Sequence, residues 1–205
     1  MTESFRFVVL GTGGLFTLEV LSSLVSKSFH PLCYVQFGRE SLPRGSEFSG
    51  IDVEVNASSG ALAELLDKHG IPRYYASDHQ LHELIRSLMV DFLLVACWPR
   101  LLSEQVTREV HHAALNLHPS LLPSYRGFDP IGDQLAAGDH RFGITLHLLS
   151  QQYDRGDIVL QRELAVEGEP AAPLVLRLAA RHGAELFTEA MQSYHKPGWK
   201  LVRQG

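Results

Sequence analysis

Short apolar runs alternate with stretches of helical spacing along most of the chain. Phe5–Leu10 is an apolar run that predicts a buried strand, and Gly11-Thr12-Gly13-Gly14 ends it. Leu15, Leu18, Leu21, Leu24 and Val25 then recur at the spacing of one helix face. Pro31–Phe37 predicts a second strand. Strand, glycine turn, helix, strand is the unit that builds a parallel sheet. The pattern lapses over Gly38–Gly60, which reads as a long surface loop, and helical spacing returns at Ala61–His69. Pro72–Tyr75 predicts a short strand, and Ser77 with Gln80 fits the capping box of a helix reaching about Leu88. Asp91–Cys97 is apolar almost throughout, as a central parallel strand covered on both faces requires. Ser103 is placed to cap a short helix. Ala113–Leu117 predicts a strand and Pro130–Ala137 a helix closed by Gly138. Gly143–Leu149 and Ile158–Glu163 predict paired strands with a turn at Asp154–Asp157, and Pro173–Tyr194 predicts a long helix. Trp199–Val202 reads as a last short strand. The expectation is an α/β fold: a Rossmann-like open, mostly parallel twisted sheet flanked by helices, in one domain spanning 1–205.

Composition narrows the function classes. Eighteen basic against 23 acidic side chains leave a formal charge of −5, a poor balance for non-specific nucleic-acid binding, which rests on many phosphate contacts. No run approaches the roughly 18 apolar residues of a membrane span, and no signal peptide precedes Phe5, which points to the cytoplasm without a membrane partner. The sequon at Asn56-Ala57-Ser58 therefore carries no weight. Cys33 and Cys97 both sit in apolar stretches, as buried free thiols do.

The segment Asn116-Leu117-His118-Pro119-Ser120-Leu121-Leu122-Pro123-Ser124-Tyr125-Arg126-Gly127 carries the candidate chemistry. Side chains two apart on a strand share a side, so Asn116 and His118 face one space at the carboxyl end of a strand, where open α/β sheets bind ligands. The prolines and glycine that follow hold a stiff loop. Asp154 offers a carboxylate from another turn. Taken alone, an Asn-x-His at a strand end is more often structural, and an Asp two before a Gly is usually a turn former. His111-His112 with His118 matches no metal-ligand spacing, because adjacent histidines on a strand point to opposite faces, so no metal is expected. The turn Gly11–Gly14 lacks the third glycine of a dinucleotide fingerprint, since position 16 is Phe16. Gln36-Phe37-Gly38 also supplies no acid at the end of the second strand, which disfavours a nicotinamide site.

Asn-x-His-Pro-Ser-Leu-Leu-Pro followed by Arg-Gly, then Gly-Ile-Thr-x-His, then Asp-x-Gly-x-Ile-x-x-Gln, resembles the formyltransferase domain over Ala113–Glu163, and more loosely back to Phe5. That domain is shared by methionyl-tRNA formyltransferases, glycinamide ribonucleotide transformylases, sugar-nucleotide N-formyltransferases and formyltetrahydrofolate hydrolases. The resemblance implies transfer of a formyl group from 10-formyltetrahydrofolate, as co-substrate, to an amine through a tetrahedral intermediate. Asn116 would donate to the oxyanion, worth roughly 3–4 kcal/mol in the transition state. His118 would move the proton or, when protonated, stabilise the oxyanion, and Asp154 would raise the histidine's pKa and position it, or relay protons through water. The folate side would comprise Trp98, Arg100, Leu101, Leu102, His147, Leu149 and Tyr153, with core packing the equal competitor for Trp98 and the two leucines. For His147 the competitor is a structural histidine beside the cleft. On the acceptor side, the resemblance places Gly11, Thr12, Gly13 and Gly14 where they would hold a phosphate, with a plain tight turn as the alternative. Ser120 would fix the loop there. Arg126 would meet an anionic group or hold a loop carbonyl.

The acceptor stays open between a small amine and a sugar-nucleotide amine. Arg126–Ile131 looks more like the tRNA branch, but no C-terminal tRNA-binding domain is expected, which disfavours tRNA without removing it. A hydrolase that passes the formyl group to water and a folate-binding homologue without turnover are the alternatives. The C-terminal helix leaves a homodimer open.

Overall fold

The computed structural model describes residues 5–37, 52–76, 78–194, 196 and 199–204. The strands are β1 (Phe7–Gly11), β2 (Cys33–Phe37), β3 (Arg73–Ala76), β4 (Phe92–Ala96), β5 (Ala113–His118), β6 (Gly143–Leu148) and β7 (Ile158–Glu163). The helices are α1 (Leu15–Ser26), α2 (Asp52–Lys68), α3 (Asp78–Leu88), α4 (Glu104–Arg108), α5 (Pro130–Ala136) and α6 (Ala172–Ser193). The strands form one sheet in the order β3-β2-β1-β4-β5-β6-β7. Pairing is parallel from β3 to β5 and antiparallel at β5–β6 and β6–β7. The expected α/β sheet is the one observed.

Alternation along the strands decides which face meets which helices. Phe7 and Val9 of β1 and Phe92 and Leu94 of β4 join the core that includes α1 and α6, with Phe187 at its centre. Val8, Leu10, Leu93 and Val95 point the other way, to a second core with Leu81 and Ile85 of α3 and Val106 of α4. On β5 and β6 the alternation changes character. Leu115, Leu117, Ile144 and Leu146 fill the first core, while Asn116, His118, Thr145 and His147 take the opposite side. A face carrying these polar groups cannot be sealed by an apolar helix, because buried polar atoms need partners. Loops cover it instead.

Several expectations are corrected. The stretch read as a loop to Gly60 is already helical from Asp52, for a helix tolerates one glycine at a cost of about 1 kcal/mol when its neighbours are Ala and Leu. Residues 38–51 of that stretch and the expected cap Ser77 lie outside the described residues. Ser103 is the N-cap of α4 but makes no side-chain cap bond; its carbonyl accepts from Val106 and Thr107. The final strand reduces to a single bridge between Val202 and Ile158. His111 and His112 sit on a bend before β5, not on a strand, and both turn to Asp91. Cys33 and Cys97 are free thiols, and burial pushes Cys33 up to about 12. Among the described residues, no helix is long and apolar enough to cross a membrane, and no cluster of ligating side chains could hold a metal ion.

Phe187 is fully buried, with its ring 5.3 Å from Phe7 and 6.3 Å from Phe92. Phe187→Ala is expected to lower unfolding free energy by about 3–5 kcal/mol, the usual cost of such a cavity, measurable by denaturant titration.

Candidate active site

Asp154 gathers the polar face into one group. Its Oδ1 lies 3.4 Å from Asn116 Nδ2, 3.4 Å from His118 Nδ1 and 3.6 Å from His147 Nε2. Its Oδ2 accepts from the Gly127 N–H at 3.0 Å. The register explains how His147 arrives, since antiparallel pairing sets it opposite Asn116. An irregularity in the β6–β7 pairing falls between Leu146 and His147, the kind of break that re-aims a side chain.

The Asp154 turn has to lie back across the sheet. Leu148 ends β6 opposite Leu115, yet Asp154 reaches His118, further along β5. Two features fold the loop this way. Asp154 itself adopts a left-handed backbone, φ 53°, and Gly156 packs so tightly that a Cβ there would lie 1.7 Å from the Leu148 carbonyl oxygen. No residue but glycine fits that approach.

The protons follow from the partners. His118 Nε2 faces the Tyr125 carbonyl at 2.7 Å and therefore donates, leaving Nδ1 toward Asp154. His147 Nδ1 faces the Leu148 carbonyl at 2.8 Å and donates likewise, which leaves Nε2 to accept from Asn116 Nδ2 at 3.0 Å. Asn116 is thereby oriented by a histidine, with its second N–H only loosely held by Asp154.

Charge is contested here. Burial pulls His118 below its ordinary value of 6.5, the Asp154 carboxylate and the Tyr125 carbonyl pull back, and burial prevails. Asp154 raises the histidine's pKa as expected, but desolvation lowers it by more. For Asp154, burial opposes ionisation, but His147, His118 and the Gly127 N–H together outweigh it and hold the carboxyl below its usual range. The group holds an anion beside a neutral imidazole.

The loop after β5 is pinned throughout. Ser120 Oγ donates to the Ser124 carbonyl at 2.7 Å, so it fixes the loop as expected. Thr145 Oγ1 donates to the Ser120 carbonyl at 2.7 Å, and Gln161 Nε2 donates to Thr145 Oγ1 at 2.8 Å. Arg126 Nε donates to the Asp154 carbonyl at 3.1 Å, the loop-holding alternative of its two readings. Tyr125, Gly127, Thr145 and Gln161 enter the sequence reading only as positions of its motifs, without a role, and Gln204 does not enter it. Thr145 shares the strand face of His147, which alternation makes visible. Tyr125 and Gly127 act through backbone atoms, and Gln161 and Gln204 through distant pairings that carry no local signal.

The remaining expected residues lie at the carboxyl ends of β1 and β4 and in the loop after β6. Gly11 ends β1, and Thr12–Gly14 follow it, beside β4, which pairs with β5. Gly11 is dictated by packing, as a Cβ would lie 2.5 Å from Thr17 Oγ1. Thr12 Oγ1 donates to Cys97 Sγ at 3.5 Å, and the Thr12 carbonyl accepts from Gln36 Nε2 at 3.3 Å. Gly13 has φ 87° and Gly14 caps α1 without a side chain. Trp98 and Leu102 pack in the second core, Trp98 edge-on to Phe37, and the Arg100 guanidinium lies over the same ring. Leu101 is exposed, Leu149 half-buried, and Tyr153 exposed with its ring 5.2 Å from Phe128. Residues 97–103 lie in no helix or strand. A separate cavity of about 410 Å³ lies at Leu121–Tyr125 and Gln134, but none of Asn116, His118, His147 or Asp154 lines it.

Known proteins resemble this chain in sequence and in fold. The family model described as formyl transferase matches residues 51–190. A methionyl-tRNA formyltransferase of Thermotoga maritima is 32% identical over 165 residues, covering 79% of this chain and 50% of the relative. One from Anaeromyxobacter dehalogenans is 37% identical over 128 residues, 62% of this chain and 41% of the relative. The chain thus spans about half the length of the curated relatives it matches. Among solved structures, the phosphoribosylglycinamide formyltransferase of Anaplasma phagocytophilum superposes with a TM-score of 0.72 at 22% identity, covering 99% of this chain and 96% of that one. A glycinamide ribonucleotide transformylase from Symbiobacterium toebii gives 0.71 at 20% identity, covering 98% and 94%. At such identities the likeness shows the fold.

The depressed His118 pKa has a stability consequence. The folded state binds that proton less readily than the unfolded chain, so this histidine costs no stability above pH 6.5 and an increasing amount as pH falls below it. Denaturant titrations on either side of pH 6.5 should show a larger acid loss in the parent than in His118→Gln. Equal losses would mean that the ring is not held neutral by burial.

Proposed function

This chain belongs to the formyl transferase family, and on that premise we propose that it moves a formyl group from 10-formyltetrahydrofolate to an amine. The observation that carries this reading is the convergence of Asn116, His118 and His147 on the Asp154 carboxylate. The folate supplies an activated formyl carbon, and residues 97–102 with Leu149 and Tyr153 are the edge that would hold its ring.

In this reading, the Asn116 N–H held loosely by Asp154 is the one available to the formyl oxygen as negative charge develops there. Because His147 fixes the other N–H, the amide does not have to reorganise, which is the condition for strong transition-state stabilisation. The attacking amine sheds a proton as its nitrogen bonds to the formyl carbon. Nδ1 of His118 is the ring nitrogen left to receive it, since Nε2 is engaged by Tyr125. The depressed pKa keeps that nitrogen unprotonated at neutral pH, and the adjacent Asp154 then steadies the imidazolium until the proton passes to the departing folate nitrogen. Water in place of the amine would give a hydrolase with the same groups.

For the acceptor we propose a small amine, in keeping with the glycine turn beside the group and the acidic net charge. A tRNA acceptor is the alternative favoured by the sequence relatives, which are methionyl-tRNA formyltransferases.

Purified protein mixed with 10-formyltetrahydrofolate should release tetrahydrofolate when a suitable amine is present. Asn116→Ala should lower kcat by about 10²–10³-fold. His118→Ala and Asp154→Asn should also abolish most turnover. Release in water alone, unaffected by amines, would favour the hydrolase, and release that survives all three changes would remove this group from the chemistry.

A further inference from the structure

The segment 199–204 runs past the site and is anchored three ways. Trp199 packs edge-on to Tyr194 at 4.8 Å. Val202 exchanges two backbone hydrogen bonds with Ile158, at 2.8 and 2.9 Å, where β7 begins. Gln204 then turns its carboxamide into the Asp154 turn. Its Nε2 donates to the Gly156 carbonyl at 2.6 Å, and its Oε1 accepts from Arg126 Nη2 at 2.8 Å. Arg126 in turn donates from Nε to the Asp154 carbonyl. One neutral amide thereby ties both flanks of the turn, directly at Gly156 and through the guanidinium at Asp154.

We propose that Gln204 is a positioning residue for the Asp154 carboxylate, strapping its turn against Asn116, His118 and His147. The proposal rests on the functional reading above for its effect on turnover, though not for the strap itself. The need for a strap is visible in the backbone. A non-glycine residue in the left-handed region persists only where its surroundings hold it there, and Asp154 is such a residue. The carboxamide suits the position because it presents a donor and an acceptor at once. Glutamate would keep the bond to Arg126 but set an anion against the Gly156 carbonyl. Methionine would keep the length and lose both bonds. The strap touches neither the polar atoms of Asn116 nor those of the histidines, so it acts on the carboxylate through the loop.

The test uses the full chain with Gln204→Met and Gln204→Glu, and Arg203→Ala as the control on an exposed neighbour. The Gly127 amide reports directly on the carboxylate, because it donates to Asp154 Oδ2. Hydrogen exchange at that amide, followed by NMR, should quicken at least about tenfold in Gln204→Met, with exchange in β1 and β4 unchanged. Formyl transfer should fall about tenfold in kcat with little change in KM for 10-formyltetrahydrofolate, as expected when a group is misplaced and not removed. The control should match the parent in both. Should Gln204→Met unfold, Gln204→Glu carries the same measurements. Unchanged exchange at Gly127 would overturn the proposal whatever happens to the rate. Quickened exchange in a protein with no turnover, parent included, would uphold the strap and sink the functional reading instead.

Discussion

Asp154 has to stay charged in surroundings that oppose charge. Half-buried at the meeting of two loops, its carboxylate accepts from a backbone N–H and an asparagine amide, with two imidazoles beside it. Much of the local architecture follows from that demand. The left-handed turn, the close approach at Gly156 and the guanidinium on the Asp154 carbonyl all bring the anion to its partners and keep water-exposed alternatives away. Without the anion, Asn116 and His118 would be polar groups on a face no helix covers.

The same anion sits beside a histidine that burial keeps neutral. The two effects pull in opposite directions, and desolvation wins for the imidazole while hydrogen bonding wins for the carboxyl. A neutral ring with one nitrogen committed to a carbonyl can only receive a proton, and only at the other nitrogen. Directionality of this kind comes from the Tyr125 carbonyl, a group with no side-chain identity.

That contrast marks what the sequence could reveal. The apolar runs of β1 and β4 announced a sheet covered on both faces, because burial on two sides leaves no polar alternation. Strand alternation placed Asn116 and His118 together, and the Asp-x-Gly spacing of the turn marked Asp154. Helix α2 was hidden by Gly60 and a run of small residues that mimic a loop. His147 was visible only as a histidine on a strand; its hold on Asn116 depends on the β5–β6 register, a pairing between strands 31 residues apart at that point. Gln204 lay beyond reach for the same reason, being 78 residues from Arg126. Long-range pairings and backbone acceptors leave no mark on local pattern.

The order of strands divides the molecule unequally. Among the described residues, the side chains that hydrogen-bond or ion-pair with Asp154 come from β5, β6 and the loops around them, within residues 113–163, whereas the glycine turn and the 97–103 edge lie at the ends of β1 and β4. Such a layout separates inheritance of a reaction from inheritance of a preference. On the proposed reading, changes in the first half would recut the space for an acceptor while the group around Asp154 stays in place.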